Sequence, residues 1–527
     1  MTARASPAWS KPASNAEAMA HAPGLACRRF FILIGVLIGM WVGCLAGPTA
    51  RAQTPPELTP PATKETAERL ASLSWEAMAR GDPAKAESLL RRQLKLQPQN
   101  FVVYYNLACT RAAQHDPPGA VKLLKEAIEL GFCDAYQLRR EGVLDAIRQE
   151  PEYQRLIDHW DEVLLARRDA NLKSARSLFK NGYKEITDER MRVVYRTAFD
   201  ERSTKDAIAE LDRVAAFAET HLFPGLFDPA LSQDDAWVTV VLPSKLDFAK
   251  WAISLYGPNV STGNSTVGGA YEHDLKRLVS MDLGATLRHE FLHLLHYRHI
   301  TRQGQSCPAW VLEGLGCLVE DYDLGPANEL VPATSWRTNI LKRVEKLGNL
   351  PTLEKLAKIP YMPFFSQRPL LNYAAARGEF MFLFSQGKLL EWSKAFDKTH
   401  RDDPSGVLAY QQVLGSEDPI ELHKRWREFV RGLPAVPEEI RAGAASLGLE
   451  LDAGAGEGPI VTSFDRRRGA GGLRLGDVIT SIDAKPVRDL AELVRVLSGY
   501  KPGDTVEIAY RRAKLVGTSK LQLVAKR

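Results

Sequence analysis

Residues 284–299 read GATLRHEFLHLLHYRH, and the reading of this stretch decides the central domain. Leu287, Phe291, Leu294 and Leu295 recur at helical spacing, so the segment is an amphipathic helix. On it sits His289-Glu290-Phe291-Leu292-His293. Histidines at i and i+4 stand one turn apart on one face, so both imidazoles can reach a single ion. Glu290, beside the first of them, can take a proton from an attacking water. The pattern alone arises by chance about once in a hundred chains of this size. The plain alternative is a helix with two surface histidines.

Downstream, Pro308-Ala309-Trp310-Val311-Leu312-Glu313-Gly314 lowers that alternative sharply. Pro308 suits the first turn of a helix, which places Glu313 inside it. Two His and one Glu make a catalytic zinc set with a fourth position left open. The combination resembles the gluzincin metallopeptidases, whose third ligand is the Glu of a W-x-x-E-G segment on a second helix. The spacing to Glu313 is like that of thermolysin, and the Trp-Val-Leu-Glu-Gly wording is similar to the aminopeptidase branch. The resemblance implies an α+β zincin-like domain over 171–435, with Zn2+ held by His289, His293 and Glu313 and with Glu290 as general base. In the related aminopeptidases a Tyr on a later helix meets the oxyanion. Here that implies Tyr373, at the start of the apolar helix running through Phe380 and Phe384, although Gly378 sits further along than the family's glycine.

The neighbours of this set read as follows. His296, at i+7 from His289, shares the metal face and is either an alternative third ligand or a packed histidine. Glu320 lies two turns after Glu313 and is read as a carboxylate that orients a ligand histidine. Cys307 and Cys317 bracket Glu313; along a helix they stand about 15 Å apart, beyond the roughly 7 Å reach of a disulfide, and are read as buried apolar residues. Upstream, Ala236–Leu242 reads as a strand ended by Pro243, and Val267–Met281 as another strand or hairpin. The resemblance implies a strand edge there that pairs with extended substrate, with Gly268-Gly269-Ala270-Tyr271 as the candidate. His273 is read as an exposed strand residue. From Leu341 to Val430 the pattern is mostly helical.

Before this domain, residues 67–134 carry two copies of one pattern at a spacing of 34, with Ala86 matching Ala120 and Leu90 matching Leu124. Two helices per 34 residues resembles the tetratricopeptide repeat, which implies a small groove for a protein partner or a brace for the next domain. Gly131–Ile157 looks like a third, capping unit, and the helical region is read as 65–165. A Pro-rich linker occupies 53–64. Within 1–52, Arg28-Arg29 precede seventeen apolar or Gly residues, Phe30–Ala46, and Ala50-Arg51-Ala52 follows. That is the layout of a signal peptide; a retained membrane anchor and a lipid site at Cys44 are the alternatives. Each implies export across a bacterial inner membrane, to a periplasmic, membrane-anchored or secreted location.

After Pro437, Gly472-Leu473-Arg474-Leu475-Gly476-Asp477-Val478-Ile479 and Pro502-Gly503-Asp504 resemble a bacterial PDZ domain over 446–527. The resemblance implies that Leu447, Gly448 and Leu449 bind a peptide C-terminus through backbone N–H groups. Arg466-Arg467-Arg468 departs from the family and is read as an exposed loop.

The chain has 527 residues, 45% hydrophobic and 25% charged, which excludes collagen-like, wholly disordered and multi-span membrane classes. Its net charge of +5 divides into +4 in residues 1–52, +5 in 441–527 and −4 between them. The basic excess therefore belongs to the leader and the C-terminal module and gives no support to a nucleic-acid partner. The whole reads as a multidomain exported zinc peptidase acting on protein or peptide. No clear Gly-x-Met-Glu-Asn segment is present to hold a free amino terminus, which tilts the reading toward an endopeptidase. Two rivals stand beside it: a non-catalytic envelope scaffold, and a zinc amidase acting on cell-wall peptides.

Overall fold

The computed structural model describes residues 66–257, 267–464, 471–513 and 515–527. The leader, the Pro-rich linker and the Arg466–Arg468 run lie outside the described residues. Among the described residues no helix is long and apolar enough to cross a membrane. The chain divides into two compact units, at residues 163–164.

The first unit is helical: α1 (Ala67–Ala79), α2 (Pro83–Leu96), α3 (Phe101–Ala113), α4 (Pro117–Glu129), α5 (Ala135–Arg140) and α6 (Pro151–Asp158). Thr66, Asp82, Asn100, Asp116 and Asp134 cap five of these helices, each side chain accepting a first-turn backbone N–H. The 34-residue offset is visible in three dimensions. Both α2 and α4 open on Asp-Pro, and Ala86, Leu90, Ala120 and Leu124 are all buried. Leu138, Leu144, Ile147 and Tyr153 of the following segment are buried as well. Helix α7 (Trp160–Leu178) contains the division point.

The second unit is built on a five-stranded mixed sheet of β1 (Lys184–Asp188), β2 (Val193–Thr197), β3 (Val238–Leu242), β4 (Gly269–Glu272) and β5 (Arg277–Ser280). Their spatial order is β1-β2-β3-β5-β4. The three inner strands run parallel, and β1 and β4 are antiparallel edges. β2 and β3, Val-Val-Tyr-Arg-Thr and Val-Thr-Val-Val-Leu, are buried at every position. That is expected of parallel strands covered on both faces. Helices α8 (Glu201–His221), α9 (Pro229–Ser232) and α10 (Lys245–Tyr256) connect them.

After β5 come α11 (Ala285–Gln303) and α12 (Ala309–Leu318), then the hairpin β6 (Tyr322–Leu324) and β7 (Leu330–Pro332). The helices α13 (Trp336–Lys346), α14 (Leu353–Ala357), α15 (Tyr361–Ser366), α16 (Pro369–Ser385), α17 (Leu389–Thr399), α18 (Val407–Leu414) and α19 (Pro419–Gly432) complete this part. Trp310 stacks on Phe380 at 5.1 Å between α12 and α16. A Cβ at Gly314 would stand 2.8 Å from the Ala376 carbonyl oxygen, so only glycine allows that crossing.

The C-terminal module contains β8 (Ala445–Ser446), β9 (Leu449–Asp452), β10 (Ile460–Phe464), β11 (Val478–Ile482), β12 (Lys485–Pro486), α20 (Leu490–Leu497), β13 (Thr505–Arg512), β14 (Leu515–Gln522) and β15 (Val524–Ala525). Its main sheet has the order β14-β13-β11-β10-β9. Val461, Ile479, Ile482, Leu493, Val496 and Ile508 form its own apolar core.

His289 and His293 of α11 are not on the surface: every residue from Leu287 to His299 is buried, and Arg288, Arg298 and His299 find partners on other elements. One expectation is corrected. His273 is not an exposed strand residue. It begins a 3-10 turn after β4, is partly buried, and stacks on Tyr297 with ring centroids 4.6 Å apart.

Candidate active site

One turn of α11 separates His289 from His293, and their rings meet edge to face with centroids 4.6 Å apart. Glu313 comes from α12. Its Oε2 lies 3.2 Å from His289 Nε2 and 3.7 Å from His293 Nε2. The approach depends on Gly316, one turn further along α12. A Cβ there would stand 2.8 Å from His289 Nε2.

These three residues can hold a metal ion. Their donor atoms all lie within 4.8 Å of one another and all three residues are buried. Four-coordinate zinc at bond lengths of about 2.0–2.2 Å needs ligand atoms roughly 3.3 Å apart, close to the spacing found. Both ring nitrogens of His293 and the Oε2 of Glu290 are buried without a hydrogen-bond partner among the described residues. Buried polar groups are normally satisfied, so an unpartnered His293 Nε2 beside Glu313 Oε2 fits a cation between them.

The carboxylates are set apart electrically. Burial would raise Glu313, but His293 and His289 outweigh it and hold the group at about 2. Glu290 goes the other way. Burial raises it, Glu313 adds to the rise, and the two histidines and the Tyr271 backbone N–H oppose it. A carboxylate poised above its ordinary range is better matched to proton transfer near neutrality. Strand β4 lies directly against it: a Cβ on Gly269 would stand 3.1 Å from Glu290 Cγ.

On the far side of His289, Nδ1 faces Glu320 Oε1 at 2.9 Å. Glu320 lies past the end of α12 rather than two turns along it, yet its carboxylate reaches the ring. Arg337 of α13 grips that carboxylate bidentately, at 2.8 and 2.9 Å. The same guanidinium lies 5.3 Å over the Tyr373 ring, and the Tyr373 ring stands 6.4 Å from that of His289. Arg337 thus ties the candidate oxyanion donor to the residue that orients a ligand. Sequence spacing offered no signal for it.

His289, Cys317 and Glu320 form a second grouping with converging donors. Arg337 occupies both Glu320 oxygens, and burial pushes the Cys317 thiol up to about 11. A cation would meet a guanidinium and a protonated thiol there, so the grouping orients His289. His296 is outside both groupings. It stacks on Phe223 at 4.9 Å, and burial holds it neutral. Cys317 is buried as expected; Cys307 is only partly so.

In the C-terminal module, Leu447 and Gly448 link β8 to β9, and Leu449 is the first residue of β9. Gly448 adopts a φ of +70°, which favours glycine. Its N–H donates to Ser446 Oγ at 3.2 Å, so of the three expected amide donors this one already has a partner.

No curated protein matches the chain. Among solved structures, an aminopeptidase N family protein from Idiomarina loihiensis is similar over 66% of this chain and 67% of that chain, at 15% identity and a TM-score of 0.24. Residues 445–523 match the PDZ domain family, and the C-terminal module is a PDZ domain, a protein- and peptide-binding fold.

Proposed function

We propose that the chain is a zinc-dependent peptidase of the gluzincin type, acting as an endopeptidase on exported or envelope proteins. The observation that carries this reading is Glu313 Oε2 lying 3.2 and 3.7 Å from the Nε2 atoms of His289 and His293. Beside them Glu290 is raised, with one oxygen unpartnered. His289, His293 and Glu313 would hold the ion. A bound zinc ion supplies Lewis acidity toward the scissile carbonyl and acidifies water. Glu290 accepts the proton of the attacking water and delivers it to the leaving amine. Tyr373 donates its hydroxyl to the developing oxyanion. β4 ends the sheet order among the described residues and lies against Glu290, a position that suits an extended peptide added as a further strand. The PDZ domain holds a substrate or partner by its C-terminus, the repeats of the first unit engage a protein partner, and the leader exports the chain.

One assay series tests the reading: zinc content and hydrolysis of an unfolded protein, with and without chelator, for wild type and Glu290→Gln. Chelator-sensitive cleavage by wild type and its loss in a zinc-replete mutant are expected. Equal cleavage by the mutant sinks the mechanism. A zinc-loaded wild type that cleaves no peptide points to the scaffold, and cleavage restricted to cell-wall peptides points to the amidase.

A further inference from the structure

Arg288 immediately precedes His289, so on α11 its side chain leaves in a direction about 100° from that of the ligand. It is buried, with 1% of its surface exposed. Its guanidinium binds three places at once. Nε donates to the Glu320 carbonyl oxygen at 3.2 Å, beyond the C-terminal end of α12. Nη1 donates to Glu210 of α8 at 3.0 Å, and Nη2 to Glu492 of α20. Arg488, just before α20, completes the set. Its Nε donates to Glu210 Oε1 at 2.9 Å, and its backbone N–H to Glu492 Oε2 at 2.7 Å. Two arginines and two glutamates are thereby paired in a closed, electrically neutral network, all four residues buried.

The surrounding surface fits this network closely. Leu283 N–H donates to the Gly456 carbonyl at 2.8 Å. A Cβ on Gly284 would stand 2.6 Å from Arg488 Cβ, and one on Gly456 would stand 2.6 Å from the Met281 carbonyl oxygen. Arg495 of α20 donates to Asp323 at 2.6 Å and to the Tyr322 carbonyl at 2.8 Å. A module on a free tether needs none of this. Buried ions are retained at a desolvation cost, and removing one partner leaves an uncompensated charge inside the protein.

We propose that the PDZ domain is a built-in positioning element of the catalytic unit. Arg488 and Glu492 act through Arg288 to hold α11 and the end of α12 in the register that brings His289, His293 and Glu313 together. This rests on the zinc reading of those three residues. It makes Arg488 and Glu492 positioning residues, more than 170 residues from the motif in sequence.

The test uses the full chain with Glu492→Gln, Arg488→Leu and, for comparison, Arg512→Ala. Arg512 pairs with Asp477 inside the PDZ domain and touches nothing of the network. Amide hydrogen exchange is followed in Leu287–Leu295, and zinc affinity by competition with a chelator below the melting temperature. For Glu492→Gln and Arg488→Leu we expect exchange in that segment to quicken about tenfold. Zinc should bind about tenfold more weakly, and kcat should fall with KM within about twofold. Arg512→Ala should quicken exchange only within residues 445–527. The proposal is overturned if Glu492→Gln alters exchange in the PDZ domain alone while zinc affinity and kcat stay at wild-type values. It is overturned equally if Arg512→Ala loosens α11 as much as the network variants do, since any loss of PDZ stability would then suffice. Should Arg488→Leu fail to fold, Glu492→Gln still decides, because the carboxamide keeps the volume and an acceptor for the Arg488 N–H. A wild type that binds no zinc or cleaves nothing defeats the peptidase reading alone, since the exchange readout needs neither metal nor substrate.

Discussion

Glu320 Oε1 lies 2.9 Å from His289 Nδ1, while Glu313 Oε2 lies 3.2 Å from the Nε2 of the same ring. One imidazole is thus held between two carboxylates, one on the ligand side and one behind it. The second holds the ring's orientation and the tautomer that leaves Nε2 free to coordinate.

Glu320→Gln and Arg337→Leu are therefore expected to weaken zinc binding by about 10- to 100-fold without removing a ligand. Chelator competition monitored by zinc release checks this. Arg337→Leu should lower kcat further than Glu320→Gln, because it also frees the Tyr373 ring. Equal kcat values in the two variants would separate Tyr373 from Arg337.

Glu290→Gln should retain zinc and lose about 10²- to 10⁴-fold in kcat/KM on a peptide substrate. The three ligand side chains are untouched, so metal analysis of the purified variant should return the wild-type content. Loss of zinc together with activity would make Glu290 structural rather than the base.

Gly316→Ala places a methyl group 2.8 Å from His289 Nε2. The ring must move off its carboxylate partners. We expect a stability loss of about 1–3 kcal/mol from overpacking, and a larger loss of zinc affinity than Glu320→Gln causes. Thermal melts with and without zinc measure both, and the gap between the two melts should narrow in the variant.

Glu379 of α16 is buried, and burial pushes it up to about 8 against the opposing hydrogen bond from Tyr410, whose hydroxyl stands 2.5 Å away. The folded state then holds a proton that the unfolded chain releases near the ordinary carboxylate value of 4.5. This contribution is fully present below that value and is lost as pH rises from there toward 8. Glu379→Gln stays neutral throughout. Its melting temperature should exceed that of wild type by a margin that grows between pH 5 and pH 8. A margin constant with pH would show that Glu379 is ionised in the fold.

Much of the helix content and the heart of the site were legible in the chain, because both rest on local rules. A His pair at i and i+4 shares a helix face wherever the helix sits, and Pro308, expected in the first turn of α12, stands one position earlier as its N-cap in extended backbone. The C-terminal module was also marked, by β-branched runs and Gly-Asp turns. His273 was misread because the Tyr297 that buries it lies on another element.

By itself, the sequence determined the H-E-x-x-H helix, the Glu-bearing helix after it and the PDZ module, since each is a short-range pattern of period, turn or spacing. Only the tertiary structure decided which side of His289 each carboxylate takes. It alone brought Arg337 to Glu320 and Tyr373, and joined Arg288 and Glu210 to Arg488 and Glu492. The physical reason is one of range. An ion pair between residues 78, 204 or 278 positions apart leaves no periodicity to read, and such charges can be buried only where the packed fold supplies every partner at once.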